Sequence, residues 1–86
     1  MIKARITIGG PVGLHARPAA EFVREAEKFV SDIRLVKDGM RVNGKSILAI
    51  LTLAAERGCV VTLEIDGMDE QQALEALRVK LENSDS

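Results

Sequence analysis

The spacing of the apolar residues constrains the fold of this chain most strongly, because it changes repeatedly between two periods. Residues 2–8 alternate apolar and polar side chains, which is typical of a strand with one buried face. In the next stretch apolar residues recur at steps of three and four, which predicts an amphipathic helix over about residues 16–29. A chain that changes period in this way is expected to contain both strands and helices.

Three further strands are predicted after this helix. Residues 33–37 and 40–43 are β-prone runs, and the Asp38-Gly39 dipeptide between them favours a tight hairpin. Apolar alternation returns over residues 60–65 and ends at Asp66-Gly67, which predicts the last strand. The hairpin makes two of these strands antiparallel neighbours.

Two further helices complete the pattern. Ser46 is a favoured N-cap residue, so a short helix is expected directly after it, ending near Arg57-Gly58. Asp69 and Gln72 resemble a capping box at the start of a final helix with a leucine-rich stripe. The polar tail at residues 83–86 is expected to fray.

The predicted order is strand, helix, strand, strand, helix, strand, helix, within 86 residues. This mixture in so short a chain favours an α+β fold with one sheet and helices packed on one of its faces. The other face would meet water, as the half-polar alternation of the first strand allows. The length predicts a single domain over residues 1–86.

The composition argues against several classes of function. Only two aromatic residues are present, Phe22 and Phe29, so a base-stacking platform for nucleic acid is not expected. The formal net charge of −1 disfavours general polyanion binding. Cys59 is the only cysteine, which excludes an internal disulfide and disfavours a cysteine-ligated metal site. We interpret it as a small buried hydrophobe rather than a reactive thiol.

The sequence also predicts where the protein is found. No apolar run approaches the roughly 20 residues that a membrane helix requires. Residues 1–5 lack the apolar core of a signal peptide. A cytoplasmic protein without membrane insertion is therefore expected.

Residues 13–19 read Gly-Leu-His-Ala-Arg-Pro-Ala and contain the only histidine, His15, just before the first predicted helix. Helix starts bind anions, because their first N–H groups lack intrahelical partners and carry partial positive charge. A phosphoryl group on the His15 imidazole would face the amides of Ala16 and Arg17, and the Arg17 guanidinium suits phosphate oxygens. These residue types favour phosphoryl chemistry, but they are also compatible with an ordinary surface histidine or an imperfect cap.

The segment at residues 13–19 resembles the active-site signature of HPr, the family of histidine-containing phosphocarriers of the bacterial phosphoenolpyruvate:sugar phosphotransferase system. A second segment, Asn43-Gly44-Lys45-Ser46-Ile47-Leu48, is similar to the regulatory serine segment of that family. The Gly67-Met68-Asp69-Glu70 run, the length and the order of elements extend the resemblance over nearly the whole chain.

The resemblance implies an open-faced β-sandwich, with four antiparallel strands and three helices on one side. It implies that His15 accepts a phosphoryl group on Nδ1 from phosphorylated enzyme I and passes it to the IIA domains of sugar permeases. Arg17 would pair with the phosphoryl group and with acidic partner surfaces. The protein would be a carrier rather than a free-standing enzyme, and no cofactor or metal is implied.

The resemblance also implies a docking and control surface on the second helix. The family's hydrophobic docking patch falls at Ile47, Leu48 and Leu51. Three cations are expected to help in steering partners: Arg24, Lys28 and Lys45. Ser46 would be the target of HPr kinase/phosphorylase, and a phosphate there would repel an acidic partner. Capping alone would also explain a serine at this position.

Two alternatives remain from the sequence. One is the nitrogen-related paralogue of HPr, which serves a regulatory phosphorelay, although the segment at residues 43–46 favours the sugar branch. The other is a Ser46-phosphorylated corepressor that acts with a catabolite-control regulator, but retention of His15 argues against binding as the sole role. One position departs from the family pattern: Val12 occupies a site that is often small and polar, so a loop hydrogen bond from that side chain is not expected.

Overall fold

The chain folds in the predicted order, βαββαβα. The computed structural model describes residues 1–10 and 13–83. Its elements are β1 (Ile2–Thr7), α1 (Ala16–Ala26), β2 (Asp32–Lys37), β3 (Met40–Asn43), α2 (Ile47–Leu53), β4 (Val60–Asp66) and α3 (Glu70–Glu82). Val12 and the end of the tail, residues 84–86, lie outside the described residues, and so do the expectations that fall on them.

The four strands form one antiparallel sheet in the order β1-β4-β2-β3. In its middle, β4 pairs with β1 on one side and with β2 on the other, so that Ile65 stands opposite both Ile2 and Ile33. The predicted Asp38-Gly39 hairpin joins β2 to β3. The predicted class, an α+β open-faced sheet with three helices, is confirmed.

The helices cover one face of the sheet and enclose the core between them. The strands contribute buried residues such as Leu35, Leu63 and Ile65, and each helix adds an apolar stripe. Phe22 of α1 is the largest side chain that is completely buried. Cys59, which was expected to be buried, is half-buried and packs against the edge of this core.

The opposite face of the sheet meets water and carries charge. Glu64 of β4 is only 5% exposed there, and the Arg41 guanidinium donates to its two carboxylate oxygens at 3.0 and 3.2 Å. These hydrogen bonds lower the pKa of Glu64. A buried carboxylate on a water-facing sheet is therefore held by an arginine two strands away.

Helix α2 ends at Leu53, so the prediction that it extends to near Arg57 was wrong. Ala54 adopts the left-handed conformation (φ 53°, ψ 46°), which a non-glycine residue takes only at a cost. The chain turns there, Ala55 becomes buried, and its carbonyl accepts a hydrogen bond from the Leu14 amide. The first helix also ends early, at Ala26, and continues as a turn with hydrogen bonds three residues back.

Replacement of Ala54 by glycine is expected to stabilise the protein, because glycine adopts a positive φ without steric cost. The expected gain in the free energy of unfolding is up to about 1 kcal/mol, after the greater chain entropy of glycine is subtracted. Denaturant titration would measure it. The control Ala20→Gly, inside α1, should instead destabilise by about 1 kcal/mol, and a loss of stability in Ala54→Gly would contradict the prediction.

The predicted capping box at Asp69 and Gln72 was wrong. Asp69 does precede α3, but its carboxylate makes no capping bond. It accepts instead from the Val30 amide at 3.0 Å, the Ser31 amide at 3.1 Å and the Ser31 hydroxyl at 2.5 Å. Glu70 reaches back to the Gly67 amide at 3.0 Å. Asp69 therefore links the start of α3 to the turn at residues 30–31, because the donors of that turn bind its carboxylate in place of the α3 amides.

The Ser31 hydroxyl and the Val30 amide hold the pKa of Asp69 below its ordinary value. A lowered folded-state pKa stabilises the protein above the ordinary carboxyl pKa of about 3.9, and this contribution is lost as pH falls through the folded-state value. We expect Asp69→Asn to be less stable than the parent at neutral pH and to approach it in acid. Thermal unfolding against pH would measure this. Asp32→Asn, which removes an exposed carboxylate, should show the same dependence of thermal stability on pH as the parent. If Asp69→Asn is less stable than the parent by the same amount at every pH, the lowered pKa of Asp69 does not contribute to stability.

Candidate functional site

The loop before α1 is packed directly against the segment that follows α2. Gly13 has a positive φ of 82°, and a Cβ on it would lie 2.6 Å from the Arg57 amide nitrogen. The Leu14 amide donates to the Ala55 carbonyl at 2.9 Å, and the Leu14 side chain is buried. Only glycine permits this approach, so residues 13–14 fix the position of the next residue, His15.

His15 is the N-cap of α1 through its backbone and not through its ring. Its carbonyl accepts the first helical hydrogen bond, from the Ala19 amide at 2.9 Å, and its own amide donates to the Gly13 carbonyl at 3.0 Å. The side chain makes no capping hydrogen bond and is 56% exposed. The backbone of His15 is thus held at a defined place, while more than half of its side chain is exposed.

The start of α1 presents two backbone donors beside this ring. Ala16 and Arg17 are the first two helical residues, and their N–H groups have no intrahelical partner. Pro18, the third, has no N–H and lies with its ring buried. No acidic residue lies in the first turn, so no carboxylate of α1 itself competes there for the partial positive charge.

The Arg17 side chain adds a full positive charge at the start of α1. Its side chain is exposed and makes no ion pair within the described part of the chain. A guanidinium without an ion-pair partner among those residues remains able to bind a phosphate or a carboxylate in bidentate fashion. The structure therefore brings the imidazole, two amides and a guanidinium together within three consecutive residues.

Glu56 is a member of this group that the sequence analysis did not identify. Its Oε1 lies 3.7 Å from His15 Nε2, and its side chain is 70% exposed. The two residues are distant in the chain, and only the packing of the 13–14 loop on residues 55–57 brings them together. No motif or spacing in the sequence indicates this contact.

The start of α2 matches the predicted cap. The Ser46 hydroxyl accepts from the Ala49 amide at 3.2 Å, and the Ser46 carbonyl accepts from the Ile50 amide at 3.1 Å. The capping role of Ser46 is therefore confirmed. Its side chain is half-buried.

The apolar residues of α2 divide between surface and core. Ile47, Leu48 and Leu51 are 41%, 77% and 36% exposed, whereas Ile50 and Leu53 are buried. We call the first three the α2 patch. An exposed apolar patch on a small protein is typical of a protein–protein contact.

The three cations expected near this surface differ in their availability. Lys45 Nζ donates to the Phe29 carbonyl at 2.7 Å, so its head group is tied to the turn after α1. Lys28 pairs with Glu25 at 3.2 Å. Arg24 is exposed and has no ion-pair partner among residues 1–10 and 13–83. Of the three, Arg24 is the cation best placed to meet an acidic partner.

His15 and Arg17 are both exposed at the surface. A cleft of about 450 Å³ runs along β2 and β3, and its lining includes neither His15 nor Arg17. Within the described ranges, no group of three or more His, Cys, Asp and Glu side chains could hold a metal ion. None of the described helices is long and apolar enough to span a bilayer. An open site suits chemistry that a docked partner completes.

Comparison with known proteins adds independent information. A family model described as the PTS HPr component phosphorylation site matches residues 2–83. The HPr-like protein Crh of Bacillus subtilis is 49% identical over 77 residues, which cover 90% of this chain and 91% of that protein. The phosphocarrier protein HPr of Buchnera aphidicola is 46% identical over 77 residues, with 90% and 91% covered.

Solved structures agree with these matches. The crystal structure of a phosphocarrier protein HPr from Bacillus anthracis has a TM-score of 0.90 at 44% identity, covering 93% of this chain and 95% of that one. A crystal structure of Crh from Bacillus subtilis has a TM-score of 0.76 at 47% identity, with 94% and 93% covered. Fold and sequence thus point to the same group of proteins.

Proposed function

Because the chain belongs to the HPr family of phosphotransferase-system phosphocarriers, we propose that it carries a phosphoryl group on His15. The observation that supports this most directly is the placement of the imidazole. It is exposed, it is not used in capping α1, and it stands beside two backbone N–H groups without partners. A ring that contributes nothing to helix capping is free to react.

The proposed donor is phosphorylated enzyme I, and the proposed acceptors are the IIA domains of sugar permeases. On acceptance the Nδ1 lone pair forms the N–P bond, and the electron pair of the breaking bond stays with the donor. Transfer of this kind depends on alignment and on stabilisation of the charged oxygens rather than on elaborate acid–base groups. The amides of Ala16 and Arg17 and the Arg17 guanidinium supply that stabilisation, and the partner supplies the rest.

The α2 patch is proposed as the docking surface for both partners. It is apolar and exposed, and Arg24 of α1 is an exposed cation without an ion-pair partner among the described residues. A carrier must release each partner quickly, and a small apolar contact with a charged rim permits brief docking. The residues that bind partners are thereby separate from the residue that carries the phosphoryl group.

Ser46 is proposed as the control point of the same surface. Phosphorylation by HPr kinase/phosphorylase would place about −1.5 to −2 charges directly beside the α2 patch. An acidic partner would then be repelled while the fold stays intact. Incubation with that kinase and ATP is expected to give an acid-stable adduct that is absent in Ser46→Ala.

A second candidate function is suggested by the similarity to Crh. One Crh structure is described as the Bacillus subtilis catabolite repression HPr, and Crh is 49% identical to this chain. In that case Ser46-phosphorylated protein would act as a corepressor with a catabolite-control regulator. Retention of His15 favours phosphocarrier activity over this role as the main function.

The experiment that tests the main proposal is incubation of the protein with phosphoenolpyruvate and enzyme I. We expect a phosphate that is labile in acid and stable in alkali, as a phosphoramidate on histidine is. Subsequent addition of a IIA domain should remove it. If the protein remains unmodified in the presence of active enzyme I, the proposal is wrong and the corepressor role becomes the better candidate.

A further inference from the structure

The contact between His15 and Glu56 bears on which nitrogen of the imidazole carries the proton. The two nitrogens of a neutral imidazole differ, because one carries the proton and the other carries the lone pair. Only the form with its proton on Nε2 offers a lone pair on Nδ1. Something must favour that form if Nδ1 is to be the reactive atom.

The structure places one carboxylate on the correct side of the ring. Glu56 Oε1 lies 3.7 Å from Nε2, and the ring geometry leaves Nδ1 on the other side. The separation is about half an ångström beyond a direct hydrogen bond. Both side chains are exposed, so a small rotation closes the gap, and catalytic hydrogen bonds commonly shorten when a partner docks.

The backbone around this pair is firmly held. Gly13 packs against the Arg57 amide, and Leu14 bonds to the Ala55 carbonyl, so the residues that flank Glu56 are fixed to the residues that precede His15. Arg17 projects from α1 and has no described carboxylate partner, which leaves Glu56 to the imidazole. The fold therefore sets the two backbones side by side, and the exposed side chains of His15 and Glu56 can meet by rotation alone.

We infer that Glu56 is a positioning residue for His15, which retains the proton on Nε2 and thereby presents the Nδ1 lone pair to the phosphoryl donor. This inference rests on the proposed function. When Nδ1 bonds to phosphorus, the ring gains positive charge while its Nε2 proton stays in place. The Glu56 carboxylate faces that proton, so it stabilises the phosphorylated ring as well as the reactive tautomer. No proton has to leave during transfer in either direction.

The test is Glu56→Gln, which removes the charge and preserves the shape. With the single histidine labelled by ¹⁵N, NMR of the unphosphorylated protein at alkaline pH reports the share of each tautomer. We expect the share with the proton on Nδ1 to rise. The initial rate of phosphorylation by enzyme I should fall by about two- to five-fold, as is typical for the loss of an exposed ion pair. Glu56→Asp, which retains the charge on a shorter side chain, should have a tautomer share and a rate between those of the parent and Glu56→Gln.

The matched control is Glu27→Gln, because Glu27 lies at the other end of α1 and is exposed. It should equal the parent in tautomer share and in rate. An unchanged tautomer share in Glu56→Gln overturns the inference, and so does an unchanged rate. A parent protein that enzyme I cannot phosphorylate overturns the proposed function instead, since the tautomer measurement needs no phosphorylation.

Discussion

Replacement of His15 by alanine is expected to abolish phosphorylation by phosphoenolpyruvate and enzyme I. No other histidine in the chain can form the acid-labile phosphoramidate. The His15 ring makes no capping hydrogen bond, so the backbone cap of α1 should survive the substitution. The free energy of unfolding should change by no more than about 0.5 kcal/mol, as is usual for an exposed site.

The measurement is transfer of labelled phosphate from phosphoenolpyruvate, together with denaturant unfolding of the same samples. Glu75→Ala, an exposed change on α3, should be labelled like the parent. Acid-labile label in His15→Ala would show that another residue accepts the phosphoryl group. A large loss of stability would show that the imidazole has a structural role that the geometry does not reveal.

The charge at Ser46 is expected to have the second largest effect. Aspartate and asparagine are both good N-cap residues, so Ser46→Asp and Ser46→Asn should keep the hydrogen bond that the Ala49 amide now donates to Ser46. They differ only in charge. If partners dock on the adjacent α2 patch with acidic surfaces, the aspartate should slow phosphorylation by about tenfold or more, because like charges in an interface cost several kcal/mol.

The comparison of these two variants separates repulsion from loss of the cap. We expect Ser46→Asn to be phosphorylated at nearly the parent rate and Ser46→Asp to show its deficit as a raised KM for the carrier. The deficit should shrink at high salt, since exposed charges are screened. Equal rates for the two variants would mean that the charge at residue 46 does not reach the docking surface.

The elements of the fold could be predicted from the sequence because their signals are local. Alternation over residues 2–8 and helical spacing after Ala16 both depend on neighbours a few positions away. The Ser46 cap follows from the same kind of local geometry, whereas the exposed residues Ile47, Leu48 and Leu51 were indicated by the resemblance to the family. The sheet order β1-β4-β2-β3 joins strands that are far apart in sequence, and periodicity does not contain this information.

Two of the failed predictions, the end of α2 and the capping box of α3, have the same cause, which is competition from partners distant in the chain. Ala54 and Ala55 are good helix formers, yet the docking of Leu14 on the Ala55 carbonyl accompanies a left-handed turn at Ala54. Asp69 has the position of a cap, but donors from the 30–31 turn occupy its carboxylate. In both places tertiary contacts override a local preference.

The sequence by itself determined the order of elements and indicated the family, and it pointed to His15 as the proposed phosphoryl acceptor, because residues 13–19 place the histidine, the amide donors and the guanidinium within one short segment. Only the tertiary structure decided what surrounds that group. The approach of Gly13 to residues 55–57 brings Glu56 to the second ring nitrogen of His15. Local spacing can define a helix start and its donors, but the contact between His15 and Glu56 exists only after the chain has folded.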